Sequence, residues 1–160
     1  MSDAPIIESR AEFRAAIDWG VQAAAERGAR RLCFVDPDFA DWPLDDPALL
    51  GLLTSWLQRP QRRLVMLAES YGDVARSKPR FVVWRRLWAH AVDAWSPQDQ
   101  PADLPTLLLD DGPVCVAVFD RLHWRGRCAV DARTAQLHRE KIDAVLQRSE
   151  LAFPVNQLGL

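Results

Sequence analysis

Four short apolar runs, each bounded by helical patterns or turn-forming residues, most constrain what this chain can fold into. Residues 31–35 and 62–68 alternate with segments whose apolar residues recur at intervals of three and four. This alternation predicts parallel strands joined by helices. Residues 106–109 and 114–119 follow in close succession across an Asp-Asp-Gly-Pro turn, which predicts an antiparallel portion. The sequence therefore predicts an α/β fold with a mixed, partly parallel sheet and helices on both faces.

Length and composition agree with that fold class. The chain has 160 residues, of which 49% are hydrophobic, enough to build one continuous core. We therefore expect a single α/β domain over residues 1–160, with about five to seven strands. The expected order is α-β-α-β-α-β-β-β-α, with a short strand or a docked tail at Ala152 and Phe153.

The net charge, the cysteines and the N-terminal segment indicate the partners and the cellular compartment to expect. A net charge of −2 provides no global attraction to nucleic acid or to a membrane surface. Cys33, Cys115 and Cys128 form no CxxC pair, as expected of buried thiols in a reducing compartment. The N-terminal MSDAPIIESR lacks the basic and apolar regions of a signal peptide. No apolar stretch approaches the roughly 18 residues that a membrane span needs. We expect a cytoplasmic protein without a membrane partner.

Several helix ends are marked by capping residues. Ser9 and Glu12 have the spacing of a capping box, and Gly28 is a natural stop, which predicts a helix over residues 10–27. Asp46 followed by proline predicts the start of a second helix, and Asp131 predicts the start of the last one. A third helix is predicted over residues 80–95, because five apolar residues recur there at intervals of three and four and so share one face: Phe81, Trp84, Trp88, Val92 and Trp95. ESYGDVARSKP, before it, is predicted to be a loop.

The last third of the chain carries a resemblance. It reads DGPVCVAVFDRLHWRGRCAVDARTAQLHREK, a strand, a hairpin and a helix. With the preceding elements, this order resembles one half of the phospholipase D superfamily fold. Members of that family carry an H-x-K-x-x-x-x-D motif on a late strand, in which the histidine attacks phosphorus and the lysine binds phosphate. If Asp120 occupies the position of the aspartate, Pro113 and Cys115 occupy those of the histidine and the lysine.

The resemblance implies a protein without that chemistry. Proline cannot act as a nucleophile, and an uncharged cysteine cannot hold an anion as lysine does. His123 precedes Trp124 and Arg125, so it does not restore the motif. The expectation is a non-catalytic phospholipase D-like binding or assembly module that needs no cofactor. Because complete phospholipase D sites are made of two facing halves, the resemblance also implies a homodimer.

A basic segment supplies the candidate ligand site. Residues 76–86 contain arginines and a lysine but no acidic residue, and they begin at the loop after the second predicted strand. Loops at the carboxyl ends of strands are where open α/β sheets bind ligands. We expect an anionic small molecule near Arg80, Arg85 and Arg86, with Trp42 and Tyr71 contributed by the two such loops. The alternative is a solvated helix face opposite a tryptophan core.

The sequence is also compatible with two other functions. Asp36 and Asp38 follow the first predicted strand, and such carboxylates could serve a metal-assisted hydrolase or phosphotransferase. The same pattern is also ordinary turn chemistry, and no further signature of such an enzyme follows. A weaker possibility is a nucleic-acid contact through the basic helix and the hairpin residues 121–127, although the overall charge argues against a nucleic-acid partner.

Overall fold

The computed structural model describes residues 4–100 and 102–153, which form eight strands and five α-helices. The strands are β1 (Ile6–Ile7), β2 (Arg31–Val35), β3 (Arg63–Leu67), β4 (Val92–Pro97), β5 (Thr106–Asp110), β6 (Val114–Asp120), β7 (Arg125–Val130) and β8 (Ser149–Leu151). The helices are α1 (Arg10–Glu26), α2 (Pro47–Leu57), α3 (Gly72–Ser77), α4 (Pro79–Leu87) and α5 (Ala132–Leu146).

All eight strands belong to one mixed sheet, in the order β1-β7-β6-β5-β2-β3-β4-β8. The central strands β2, β3 and β4 are parallel, and every other pairing is antiparallel. The predicted α/β class with a partly parallel sheet is therefore confirmed. The strand number exceeds the prediction because β1, β4 and β8 were not recognised, and two of these are edge strands of only two and three residues.

Helices cover both faces of the sheet, as predicted. On one face, side chains of α1, α2 and α4 pack with Phe34, Met66 and Leu108 in the larger apolar cluster. On the other face, Ala135 and Ile142 of α5 pack over Cys33, Val35, Leu67 and Cys115, among others. Alternate residues of each central strand therefore enter different clusters, which explains why these strands are apolar almost throughout.

The predicted capping residues define three of the helices. Ser9 Oγ accepts a hydrogen bond from the backbone N–H of Glu12 at 3.1 Å, and Gly28 follows the helix with a φ of +73°. Asp46 accepts from the backbone N–H of Ala48 at 2.9 Å, and Asp131 caps α5 in the same manner. The predicted starts of these three helices are confirmed.

The helix predicted over residues 80–95 is wrong in its second half. It ends at Leu87, the backbone turns, and Val92 begins β4, which pairs in parallel with β3. Val92 belongs to the cluster under α4, whereas Trp95 packs against the opposite cluster. These two side chains therefore lie on opposite faces of a sheet. Pairing with a buried neighbouring strand outweighs helical spacing here.

The segment ESYGDVARSKP is not simply a loop, because it contains α3. Lys78 separates α3 from α4 with a φ of −127°, as expected for a residue before proline. Downstream, Ser96 and Pro97 belong to β4 rather than to the predicted connector. Within the described part of the chain, none of the helices is long and apolar enough to cross a membrane.

Candidate functional site

A groove of about 460 Å³ lies between the end of α4 and the sheet edge formed by β4 and β8. Its lining consists of Arg85, Ala89, Val92, Asp93, Ala94, Leu151 and Ala152. Arg85 is only 5% exposed, and its Nε has no hydrogen-bond partner among the described residues. A buried guanidinium nitrogen without a hydrogen-bond partner destabilises a folded protein, so Arg85 is in an unusual position.

Aromatic rings support the Arg85 side chain from one side. Its guanidinium carbon lies 4.7 Å from the ring centroid of Phe153, within cation–π range. Phe153 in turn stacks on Tyr71 with centroids 5.3 Å apart and ring planes 4° apart. The Tyr71 hydroxyl donates to the backbone carbonyl of Trp95 at 2.8 Å. Two of the predicted ligand residues, Arg85 and Tyr71, are thus brought together through Phe153.

The protonation states of these groups follow from burial. Burial raises the pKa of Tyr71 far above its ordinary value, so its hydroxyl is neutral at physiological pH and offers Arg85 no negative charge. Burial also lowers the pKa of Arg85, although arginine stays protonated because its ordinary pKa is so high. The stack of Arg85, Phe153 and Tyr71 therefore carries one positive charge, that of the guanidinium.

The other two predicted arginines lie outside the groove. Arg80 is exposed, and its guanidinium stands 4.0 Å from the carboxylate of Asp45, which also accepts from the Arg80 backbone N–H. Arg86 is exposed on α4, next to Arg85 in sequence but not among the groove-lining residues. The expectation that the three arginines would surround one ligand is not supported by their placement.

Trp42, predicted to contact the ligand, is a core residue. It is 1% exposed, and its ring meets Phe13, Phe34 and Phe39 with centroid distances of 5.6, 5.1 and 5.0 Å. The loop is rich in turn formers, but it folds inward because Asp36 holds it closed. Trp42 is therefore unavailable for direct ligand contact.

Both carboxylate oxygens of Asp36 accept hydrogen bonds from the protein itself. One carboxylate oxygen accepts from the backbone N–H groups of Asp38 and Phe39, at 3.1 and 2.7 Å, and the other accepts from the hydroxyl of Thr106. The indole N–H of Trp42 also lowers the pKa of Asp36, although its geometry falls short of a hydrogen bond. Asp38 instead accepts from the backbone N–H of Ala40.

These two carboxylates do not converge on one point. Asp36 is buried and Asp38 is exposed. Among the residues that the structure describes, no group of three or more His, Cys, Asp or Glu side chains is placed to hold a metal ion. The D-P-D sequence here builds a turn that covers the end of β2.

Asp36→Asn is expected to make stability less dependent on pH. Burial is the largest influence on the pKa of Asp36 and raises it above 3.8. A raised folded-state pKa means that its contribution to stability is present below pH 3.8 and is lost as pH rises through the folded pKa. Asparagine keeps the shape, its oxygen can accept the two backbone bonds, and it carries no charge. We expect the Tm of the variant, relative to the unchanged protein, to improve from pH 4 to pH 7.

The matched control is Asp38→Asn, which changes an exposed carboxylate of the same loop. Thermal unfolding of the three proteins between pH 3.5 and pH 7.5 measures the effect. If Asp36→Asn loses more Tm at pH 7 than at pH 4, folding favours the charged form of Asp36, and burial is not the dominant influence on its pKa.

The positions compared with the phospholipase D motif lie along β6. Pro113 is in the turn before the strand, and Cys115 is buried under α5, where burial raises the pKa of its thiol to about 11. Asp120 ends the strand, and its carboxylate contacts His123 Nδ1 at 3.0 Å. The Cys115 thiol is therefore neutral and faces the core at physiological pH.

The hairpin between β6 and β7 exposes apolar side chains among arginines. Phe119 is 72% exposed and Leu122 is 84% exposed, close in sequence to Arg121 and Arg125. Trp124 adopts a φ of +52° and stacks on Phe13 at 5.0 Å, which anchors the turn to the core. This tip is a second surface with the composition of a binding site.

Comparison with solved structures identifies the fold. Neither a protein-family model nor a curated protein sequence matches this chain. The structure of Nuc from Salmonella typhimurium, a phospholipase D family member, superposes with a TM-score of 0.64 at 8% identity, over 95% of this chain and 99% of that one. This chain has a phospholipase D-like fold.

The phospholipase D-like fold also resembles part of a larger protein. TrmBL2, an archaeal chromatin protein with a novel mode of DNA binding, superposes with a TM-score of 0.65 at 10% identity. The match covers 94% of this chain but only 55% of that one, so this chain spans about half the length of TrmBL2. At such identities the comparisons establish architecture alone.

Sequence reasoning missed two residues: Asp93, which lines the groove, and Phe153, which packs on Arg85. Phe153 was expected only to form a strand or dock with the tail, and Asp93 was placed on a helix. Asp93 lies on β4 because that strand replaces the predicted helix, and its carboxylate is 2.9 Å from Arg63. The period-two alternation of Val92 and Ala94 is the sequence signal that could have identified the strand.

Proposed function

We propose that this protein is a non-catalytic phospholipase D-like binding module that holds an anionic ligand at Arg85. The observation that carries the proposal is the buried Arg85 side chain, which lines an open groove and forms none of the ion pairs found among the described residues. A bound anion would supply the missing charge. Guanidinium groups suit this role because their planar fork matches carboxylate and phosphate oxygens.

The absence of catalysis is part of the same proposal. With Asp120 as the aspartate of the family motif, proline and a neutral buried thiol stand where the motif has a nucleophile and a phosphate-binding lysine. Asp36, the basis of the alternative metal-assisted enzyme, already accepts three hydrogen bonds from the protein. Neither position offers a reactive group of the required kind.

Arg85→Met is expected to abolish anion binding without unfolding the protein. Methionine retains the packing of the side chain against Phe153 while removing the charge. Removing an uncompensated buried cation should also leave the ligand-free protein as stable as before or more so. Thermal unfolding should show that phosphate or acetate raises the Tm of the unchanged protein but not that of the variant.

The matched control is Arg86→Met, which removes the neighbouring exposed charge. It should retain the anion-dependent rise in Tm. If both variants respond to anions as the unchanged protein does, the ligand does not bind at Arg85 and the proposal is contradicted.

The proposal includes assembly as a homodimer, because the phospholipase D resemblance implies two facing halves. Phe119 and Leu122 are large exposed apolar side chains of the kind that subunit contacts cover. Light scattering at several protein concentrations tests this part. A monomer that persists at every concentration would contradict the dimer, but it would not contradict the proposed anion site.

DNA binding is a second candidate, favoured by the structural similarity to TrmBL2. The hairpin tip combines the exposed Phe119 with Arg121 and Arg125, and an aromatic ring among arginines can stack on a base while the charges contact phosphate. Binding of a labelled single-stranded oligonucleotide should then weaken steeply with salt and fall at least tenfold in Phe119→Ala. Salt-independent or absent binding would remove this candidate.

A further inference from the structure

The groove at Arg85 has a charge arrangement that selects among anions. Besides Arg85, the described residues that line it include one carboxylate, that of Asp93. Asp93 is already paired with Arg63, with 2.9 Å between its oxygen and the guanidinium nitrogen. The local sum of Arg63, Asp93 and Arg85 is therefore a single positive charge, which one negative charge neutralises. A dianion would leave a surplus negative charge beside Asp93.

The remaining lining is apolar and small. Ala89, Ala94 and Ala152 contribute only methyl groups, while Val92 and Leu151 add larger apolar surfaces. Leu151 is a large apolar side chain that remains mostly exposed at the sheet edge. Alanine side chains leave space beside the guanidinium, and the larger groups offer apolar contact within reach of the same ligand. Such a wall favours a ligand that carries an apolar body.

We infer that the groove binds a small monocarboxylate with an apolar body, its carboxylate on Arg85 and its body against Ala89, Val92 and Leu151. This inference rests on the proposed function, because it names the chemical class of the anion held at the same site. The carboxylate replaces the missing counter-charge, and the apolar body removes Leu151 from water. Phosphate lacks the second feature and carries too much charge for the first.

Four probes test the class of ligand by isothermal titration at pH 8. Phenylacetate has both features, acetate lacks the apolar body, phenylacetamide has the same shape without the charge, and inorganic phosphate is largely a dianion. We expect phenylacetate to bind about tenfold or more tightly than acetate, because burial of the ring adds hydrophobic free energy. Phosphate should bind at least about tenfold more weakly than phenylacetate, and phenylacetamide should not bind detectably.

Two variants separate the contributions of wall and charge. Ala89→Leu fills part of the groove from the turn after α4 and leaves the charge of Arg85 in place, so it should weaken phenylacetate about tenfold and acetate much less. Asp93→Asn removes the one carboxylate among the described lining residues, so it should reduce the preference for phenylacetate over phosphate. Arg86→Met serves as the control for both and should bind like the unchanged protein.

The outcomes distinguish this inference from the proposed function. If phosphate binds as tightly as phenylacetate and Arg85→Met abolishes both, the anion site stands and the inferred ligand class is overturned. If phenylacetate and phenylacetamide bind equally, an apolar groove exists but Arg85 does not select the ligand, and both proposals fall. If none of the probes binds while the variants remain folded, the inference is likewise overturned.

Discussion

Trp42→Ala is expected to lower the free energy of unfolding by about 3–5 kcal/mol, the range found when a fully buried tryptophan is truncated. The ring is enclosed by Phe13, Phe34 and Phe39, which come from α1, β2 and the loop after β2. These elements meet over the carboxyl end of the sheet, so the cavity cannot collapse without moving one of them. Chemical denaturation with urea measures the loss.

Trp88→Ala is the matched control for this substitution, because Trp88 is only partly buried and packs against the outside of the same cluster. We expect it to cost less than half as much. Trp42→Phe should recover most of the stability and retain anion binding, since Trp42 does not line the groove. A Trp42→Ala variant as stable as the Trp88→Ala variant would show that the ring is not a core anchor.

Gly126→Ala is expected to destabilise the protein by about 3 kcal/mol, at the upper end of the usual cost of overpacking. A Cβ at this position would lie 2.6 Å from the backbone oxygen of Ala117, and 3.1 Å from the side chain of Ile7. A backbone atom cannot move aside as a flexible side chain does, so the pairing of β6 with β7 must shift. Loss of the β1 contact should follow.

Gly51→Ala is the matched control, because the same substitution should here raise the free energy of unfolding. Gly51 lies within α2, and no described atom outside its adjacent residues and the backbone of its own helix stands within 4 Å of the Cβ that alanine would add. Alanine is favoured over glycine inside a helix by about 0.5–1 kcal/mol, so this variant should be more stable than the unchanged protein. If Gly126→Ala unfolds at the same urea concentration as Gly51→Ala, the sheet accommodates a Cβ at position 126 and the prediction is wrong.

The elements that were predicted correctly carry strong local signals. The Ser9 cap and Gly28 mark both ends of α1, and the polar residues Asp46 and Asp131 start α2 and α5. Residues 31–35 were predicted as a strand and form β2 at the same bounds. In these segments, capping chemistry or continuous apolar sequence agrees with the packing, so local and global preferences point to one structure.

The failure at residues 88–95 has a different origin. Val92 and Trp95 continue the helical spacing of Phe81 and Trp84, but Val92 and Ala94 also alternate with Asp93 as a strand requires. Nothing local separates these interpretations. The decision comes from β3, which offers a buried edge with unpaired backbone groups, and that partner cannot be recognised from the spacing of one segment.

The sequence predicts which residue types form the site, but not which individual residues do so. Arg85 and Arg86 are neighbours in a basic segment, yet only Arg85 is buried, because residues on a helix differ by about 100° in direction. Phe153, which supports Arg85, lies 68 positions farther along the chain by the difference of their residue numbers. Likewise, a loop rich in turn formers gave no sign that Asp36 would draw Trp42 into the core.

The arrangement of the sheet edges has a consequence for biosynthesis. Ile6 of β1 pairs with Arg127 of β7, so β1 cannot pair until the ribosome has synthesised the chain as far as β7. The parallel β2, β3 and β4 can assemble earlier, because their partners are synthesised in sequence. During translation, Ile7 therefore waits longer for its strand partner than β2 and β3 wait for their parallel partners, which leaves more time for a chaperone that shields apolar nascent segments to bind it.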